Sequence, residues 1–382
     1  MSEILEAQEL YLGGELPVNK YAFLFYFTDT AGVSGGIGAL EHKNSSVYFF
    51  PETPIEQIAA FLRNVCAHEF FHIVTPLNIH SQEIADFNFI KPEMSKHLWL
   101  YEGQTEYAAH HAQVKAGLIT ADEFLNRMQG KIETSTQYYN DTLPFTVMSE
   151  NCLDTYKNEY TNVYEKGALI NMCLDIELRR LSKGKYGTQE LMRDLGHQYG
   201  KDKAFNDDEL FDNIASLTYP QIREFFRLYV EGDYAIPYER YFEYAGVTRS
   251  PVTMEKKVTL GNISLNYNIT DEESEVIIGD LTGSNAFAQQ MGYKVGDKFI
   301  SINGISMTTG NANDAIDVWK AQTKAGDKVV IIVERVIDND KIKQVKLKGK
   351  AMEIDVEKPG VLLIDANATA EQIALRKAWI NQ

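Results

Sequence analysis

The sequence lacks long apolar runs, has few cysteines and is short of positive charge, and each shortage removes a class of function. Its apolar runs, VVIIV at 329–333 among them, fall far below the roughly twenty residues a membrane-spanning helix needs, so no membrane span is expected. Three cysteines (Cys66, Cys152 and Cys173) make neither a CxxC pair nor an even framework, which argues against a disulfide scaffold. Lysine and arginine number 37 against 54 aspartates and glutamates, a net charge of −17. Phosphate binding needs clustered basic residues, so nucleic acid is not an expected partner. The same charge favours solubility and cationic partners, a peptide amino terminus included. The opening MSEILEAQELYLGG is acidic and lacks the basic-then-apolar layout of a signal peptide. It suits a cytoplasmic protein, or a periplasmic or otherwise exported one whose signal has been removed.

What is present is ordinary globular composition, 44% hydrophobic and 24% charged, over 382 residues, enough for two or three domains. Residues 20–50 read as strands: YAFLFYF and SVYFF are aromatic-rich runs joined by the glycine-rich AGVSGGIGALEH. From Thr53-Pro54 the period becomes helical, and IEQIAAFLRNVCAHEFFHIV keeps its apolar residues on one broad face. A loop-like stretch precedes a second helix starting near Leu98, and further helical segments follow as far as 231. After Gly246 the composition shifts to short β runs separated by Gly-Asp, Asn-Gly and Asp-Asn-Asp turns. The expected fold class is α+β: a mostly helical domain with a small β part at 1–246, a β-rich module at 257–350, and a tail at 351–382. That tail carries a docking helix, ATAEQIALRKAWI.

HEFFH at 68–72 carries the strongest chemical signal. Residues i and i+4 share a helix face, so His68 and His72 can present both imidazoles to one ion. Glu69 sits about 100° round the helix, beside that ion, where it can take a proton from water as general base. Zinc with nitrogen and oxygen ligands and one open position supplies the matching chemistry. A catalytic zinc needs a third protein ligand, and LWLYEGQTEYAAHH at 98–111 offers Glu102. Glu106, one turn later, is placed to accept the N–H from the far nitrogen of a ligand histidine and fix its orientation. His42, His97, His110, His111 and His197 read as surface or packing residues.

These motifs resemble a known family. HEFFH followed by LWLYEGQTEY looks like the gluzincin metallopeptidases, the class of thermolysin and aminopeptidase N, and the added β-rich module points to the glycyl aminopeptidase family. The resemblance implies a thermolysin-like catalytic domain with His68, His72 and Glu102 on zinc and Glu69 as base. It implies that Glu41 in GALEH binds the substrate's free amino group, which would fix the peptide bond that reaches the metal. It also implies that Tyr164, in NVYEKGALINMCLDIEL, donates its hydroxyl to the tetrahedral oxyanion. Two departures stand out. The stretch after HEFFH reads IVTPLNIHSQEI where the family carries Trp-Asn and basic residues. Relatives also carry a β-rich domain ahead of the catalytic one, where this sequence has about twenty residues.

SNAFAQQMGYKVGDKFISINGISM at 284–307 resembles a PDZ domain, a fold that binds peptide or protein C-termini by adding a strand at a sheet edge. Leu260-Gly261-Asn262-Ile263 is the candidate carboxylate loop, and a module that binds nothing is the competing reading. The leading functional expectation is an aminopeptidase that releases small residues, glycine or alanine, from peptides. A thermolysin-type endopeptidase and a non-catalytic PDZ scaffold on a retired peptidase domain are the alternatives.

Overall fold

Aromatic strands give way to helix at Pro54, and the site is built around that junction. A computed structural model describes residues 2–29, 37–88, 90–269, 274–337 and 341–381. The chain forms two units, residues 1–250 together with 361–382, and residues 251–360, and mixes helix and sheet as an α+β protein.

The first unit opens with α1 (Ser2–Tyr11), a helix that the acidic look of the segment concealed. Ile4, Ala7, Gln8 and Tyr11 recur at helical spacing and are buried. Next comes a three-stranded sheet of order β1-β3-β2. β1 (Ala22–Thr28) runs parallel to β3 (Ser45–Pro51), and β2 (Gly38–His42) pairs antiparallel on the other side of β3. Period two decides what β3 buries: Ser46, Tyr48 and Phe50 are inside, their neighbours half-buried. Tyr48 and Phe50 pack with Ile58 and Cys66 of α2 (Ile55–Phe71), which fixes the helix against the sheet.

α2 is mostly exposed over its first turns and wholly buried over Cys66–Phe71. Beyond it lie α3 (Gln82–Ala85) and a π-helical turn, Trp99–Gly103, that runs directly into α4 (Gln104–Lys115). α5 (Ala121–Tyr138) starts at a capping box in which Thr120 and Glu123 satisfy each other's backbone N–H. After α6 (Phe145–Glu150) comes α7 (Asn162–Ser182), the spine of the unit. Between Asn162 and Arg179 every residue of α7 is buried except Tyr164, Glu165 and Glu177, the mark of a helix covered all round. α2 packs on α4, and α4 and α5 pack on α7. α8 (Thr188–Gln198), α10 (Gln221–Tyr229) and α11 (Tyr238–Tyr244) also lean on α7, while α9 (Leu210–Leu217) packs on α10.

β4 (Val247–Arg249) ends the first pass through this unit. The second unit holds β5 (Thr253–Val258), β6 (Ser264–Ile269), β7 (Ser274–Asp280), α12 (Ala286–Met291), β8 (Lys298–Ile302) and β9 (Ile305–Ser306). It continues with α13 (Ala312–Gln322), β10 (Lys328–Ile337), β11 (Lys341–Lys350) and β12 (Glu353–Lys358). Its main sheet has the order β11-β10-β8-β7-β6, with β9 folded back on β8 and β12 paired to β5. The β8–β9 turn is Asn303-Gly304, both at positive φ (47° and 87°), which the Asn-Gly pair accommodates. Phe287, Ile302, Trp319, Val329, Ile331 and Val333 form its core.

The stretch 351–382, expected as one tail, is divided. β12 belongs to the second unit, whereas β13 (Leu362–Ile364) pairs with β4 and α14 (Ala370–Ile380) packs on α4 and α7 of the first. Trp379 anchors α14: its Nε1 donates to Tyr107 Oη at 2.9 Å, and its carbonyl accepts from His111 Nε2 at 2.6 Å.

Candidate metal centre

One helical turn separates His68 from His72, and α2 buries both, at 7% and 2% exposure. Their rings stand 4.8 Å apart at 81°. His72 Nδ1–H donates to the carbonyl of Thr75 at 3.0 Å, and His68 Nδ1–H donates to Glu106 Oε2 at 2.8 Å. With both Nδ1 atoms committed as donors, each Nε2 is left with a lone pair. Those two nitrogens lie 3.2 Å apart, and Glu102 Oε2 lies 3.2 Å from one and 3.7 Å from the other.

With both rings neutral, three acceptors converge with no donor among them, an arrangement that a cation satisfies; without a cation, a proton on His68 Nε2 takes its place. The electrostatics agree. Burial alone would lower the His68 pKa, but hydrogen bonds to Glu102 and Glu106 outweigh it and hold the ring up at about 10. In other words, the carboxylates here call for a positive charge. Two imidazole nitrogens and one carboxylate oxygen are a fitting set for zinc with an open position. His68, His72 and Glu102 would hold the ion, their ligand atoms all lying within 4.8 Å of one another.

Two glycines explain how Glu102 reaches this point. The turn that carries it crosses α7 at Gly103 and Gly167, where the backbones nearly touch. A Cβ built on Gly103 would fall 2.5 Å from the Gly167 carbonyl carbon, and one on Gly167 would fall 2.9 Å from Gly103 Cα. Asn171, fully buried on α7, donates from Nδ2 to Trp99 O at 2.6 Å and to Gly167 O at 2.8 Å, tying the first carbonyl of the π turn to the same helix. Such turns are often found at functional sites. Glycine thus stands next to Glu102 in YEGQ and three residues after Tyr164 in YEKG for one reason, the crossing that brings the two side chains together.

Glu69 is buried on the same turn as His68, and its Oε2 has no hydrogen-bond partner. Burial pushes its carboxyl up, against the pull of His68 and His72. On the edge strand β2, Glu41 pairs in register with Ser46. The ligand atoms of Glu41, Glu69 and His72 also lie within 4.8 Å of one another. Tyr164 lies with its ring 5.6 Å from that of His68. Burial and then the Glu102 charge push its hydroxyl well above the ordinary tyrosine range, so it stays protonated. All seven residues singled out in the sequence come together here.

Other members of the cluster were not legible. Tyr160 places its hydroxyl 3.4 Å from that of Tyr164, and with 21 tyrosines in the chain nothing marked it. His110, expected as a surface or packing histidine, is buried beside Glu106: its Nε2–H donates to Glu106 Oε1 at 3.0 Å, and Arg127 Nη1 donates to its Nδ1 at 2.9 Å. Lys131, from α5, bonds the same Glu106 oxygen at 2.8 Å. His111 is a packing residue, with Tyr11 Oη at 2.8 Å from its Nδ1 and its Nε2 turned to Trp379 O.

These elements define a peptidase: an HExxH helix, a downstream glutamate and the carboxylate behind the first histidine. Residues 61–170, which contain all three and Tyr164, match the family model of the M61 glycyl aminopeptidases. The resemblance read from the motifs is therefore borne out over this region, which is similar to the glycyl aminopeptidases. The fold is similar to the crystal structure of an aminopeptidase N family protein from Idiomarina loihiensis, with a TM-score of 0.63 at 20% identity. That alignment covers 99% of this chain and 65% of the other, so the chain spans about two thirds of that protein's length. No curated protein matches the sequence.

Proposed function

We propose that the chain is a zinc-dependent aminopeptidase that hydrolyses the amino-terminal bond of peptides, with a preference for glycine or alanine at the first position. The observation that carries this is the convergence of two imidazole lone pairs and Glu102 on one point, with the unpartnered Oε2 of Glu69 beside it. When bound, zinc supplies a Lewis acid that polarises the scissile carbonyl and lowers the pKa of water to about 7. Glu69 accepts a proton at Oε2 from the attacking water and returns it to the leaving amide nitrogen as the C–N bond breaks. Tyr164 donates its hydroxyl to the oxygen on which negative charge develops, and burial keeps that donor protonated. Glu41 pairs with the substrate's α-ammonium, so that the first peptide bond, and no later one, reaches Glu69.

Glu69→Gln tests the assignment. The variant should keep about one zinc per chain, because Glu69 is not a ligand, yet lose nearly all turnover, because an amide cannot take the proton. Substantial residual hydrolysis would point to another base. For the second unit, we propose a PDZ-like peptide-binding module, a reading that one feature of its topology supports. β6 forms one edge of the main sheet, directly after the Leu260–Ile263 loop, where a peptide C-terminus could add a strand.

A further inference from the structure

The buried ammonium of Lys131 touches neither substrate nor the ligand set, yet it joins the two halves of the site. Lys131 sits on α5 at 8% exposure among Phe124, Leu125, Met128 and Ile132. Its Nζ lies 2.8 Å from Glu106 Oε1 and 3.5 Å from Glu165 Oε2. The other oxygen of Glu106 accepts from His68 Nδ1 at 2.8 Å, and Glu165 is the residue next to Tyr164 on α7. One cation thus bonds the carboxylate that orients a ligand ring and the carboxylate that adjoins the oxyanion donor.

Stability does not account for this placement. Taking an ammonium out of water costs several kcal/mol, and a well-packed apolar side chain often serves stability equally well or better. Of the residues α5 buries, Lys131 alone is charged; Gln129 and Ser135 are polar and the others apolar. What an apolar residue cannot do is hold two carboxylates at fixed positions.

We infer that Lys131 is a positioning residue: by clamping Glu106 and Glu165 together, it fixes the His68 ring and the Tyr164 hydroxyl in relation to each other. The inference rests on the proposed zinc-peptidase reading, and its two contacts make separate claims. The Glu106 contact acts on metal affinity, through the orientation of His68. The Glu165 contact acts on catalysis, through the start of α7 that carries Tyr164. His110 supports Glu106 Oε1 from its own helix but does not reach Glu165, so it belongs to the first claim alone.

The test uses the full chain with two variants, Lys131→Met and Glu165→Gln, and two readouts. One is zinc affinity, measured by competition with a chromophoric chelator without substrate. The other is kcat and KM on a glycyl or alanyl chromogenic substrate. Lys131→Met should weaken zinc binding by about 10- to 100-fold, the usual effect of removing support behind a ligand, and Lys131→Arg should restore most of it. Glu165→Gln should leave zinc affinity within about twofold while lowering kcat by about tenfold at an unchanged KM. If Lys131→Met does not fold, Lys131→Gln replaces it, with an expected loss of about three- to tenfold. Wild-type zinc affinity in the Lys131→Met or Lys131→Gln protein overturns the inference, as does an unchanged kcat in Glu165→Gln. A wild type that binds no zinc would instead sink the underlying zinc-peptidase reading.

Discussion

Replacing Gly103 by alanine tests whether the helix crossing sets the site. The new Cβ would meet three backbone atoms of Gly167 at 2.5–2.6 Å, where carbon contacts normally sit near 3.5–4.0 Å. Backbone on the far side cannot swing away as a side chain could, so the two elements must part by about 1 Å. Overpacking of this kind costs about 1–3 kcal/mol, and the absence of any flexible neighbour argues for the upper end. Alanine returns about 1 kcal/mol of helix propensity, for a net loss of about 2 kcal/mol. Gly130 is the control: exposed within α5, with nothing within 4 Å of its would-be Cβ, it should become more stable by about 1 kcal/mol on the same change. Urea unfolding followed by circular dichroism separates the two variants. Because Glu102 adjoins the crossing, Gly103→Ala should also weaken zinc binding. A Gly103→Ala protein as stable as Gly130→Ala, with wild-type zinc affinity, would show that the close approach does not hold the site.

Other consequences are more local. Tyr164→Phe removes one hydroxyl and little packing, so kcat should fall by about two to three orders of magnitude with KM changed far less; a rise in KM at constant kcat would make Tyr164 a binding residue only. His111 gives a pH dependence. Burial, with Arg179 and Lys115 adding to it, holds its pKa down to about 3 in the fold, against about 6.5 when unfolded. A depressed histidine binds its proton more readily in the unfolded chain. Its contribution is therefore complete above about pH 6.5 and is lost as pH falls towards 3, by roughly 1 kcal/mol per pH unit. Unfolding free energies at pH 7.5 and 5 should diverge less in His111→Gln than in wild type, and equal slopes would refute this.

The sequence made some of this legible for physical reasons. A helical period over 55–74 and a pair of histidines four apart are local patterns, so α2 and its ligand face could be read from it directly. Glu106 was legible because helix geometry relates it to Glu102, although the π turn that carries Glu102 was not foreseen. Contacts that depend on distant partners left no local trace. Gly103 and Gly167 are 64 positions apart, and each looks like an ordinary helix glycine until the two helices cross. Lys131 carries no motif that marks it, and only the packing of α5 against α7 places it beside Glu106. α1 was missed because its acidic exposed face outweighs four buried positions in the composition.

The most direct test of the central claim compares one short peptide ending in glycine or alanine at its amino terminus with the N-acetylated form of the same peptide, both offered to the zinc-loaded protein. A charge-assisted bond from Glu41 to the α-ammonium is worth about 1.5–3 kcal/mol, so the free peptide should be cleaved at its first bond with kcat/KM about 10- to 150-fold above the acetylated one. Chelation should abolish that cleavage, and added zinc should restore it. Equal cleavage of both peptides would replace the aminopeptidase with an endopeptidase, and cleavage of neither would contradict the proposed activity.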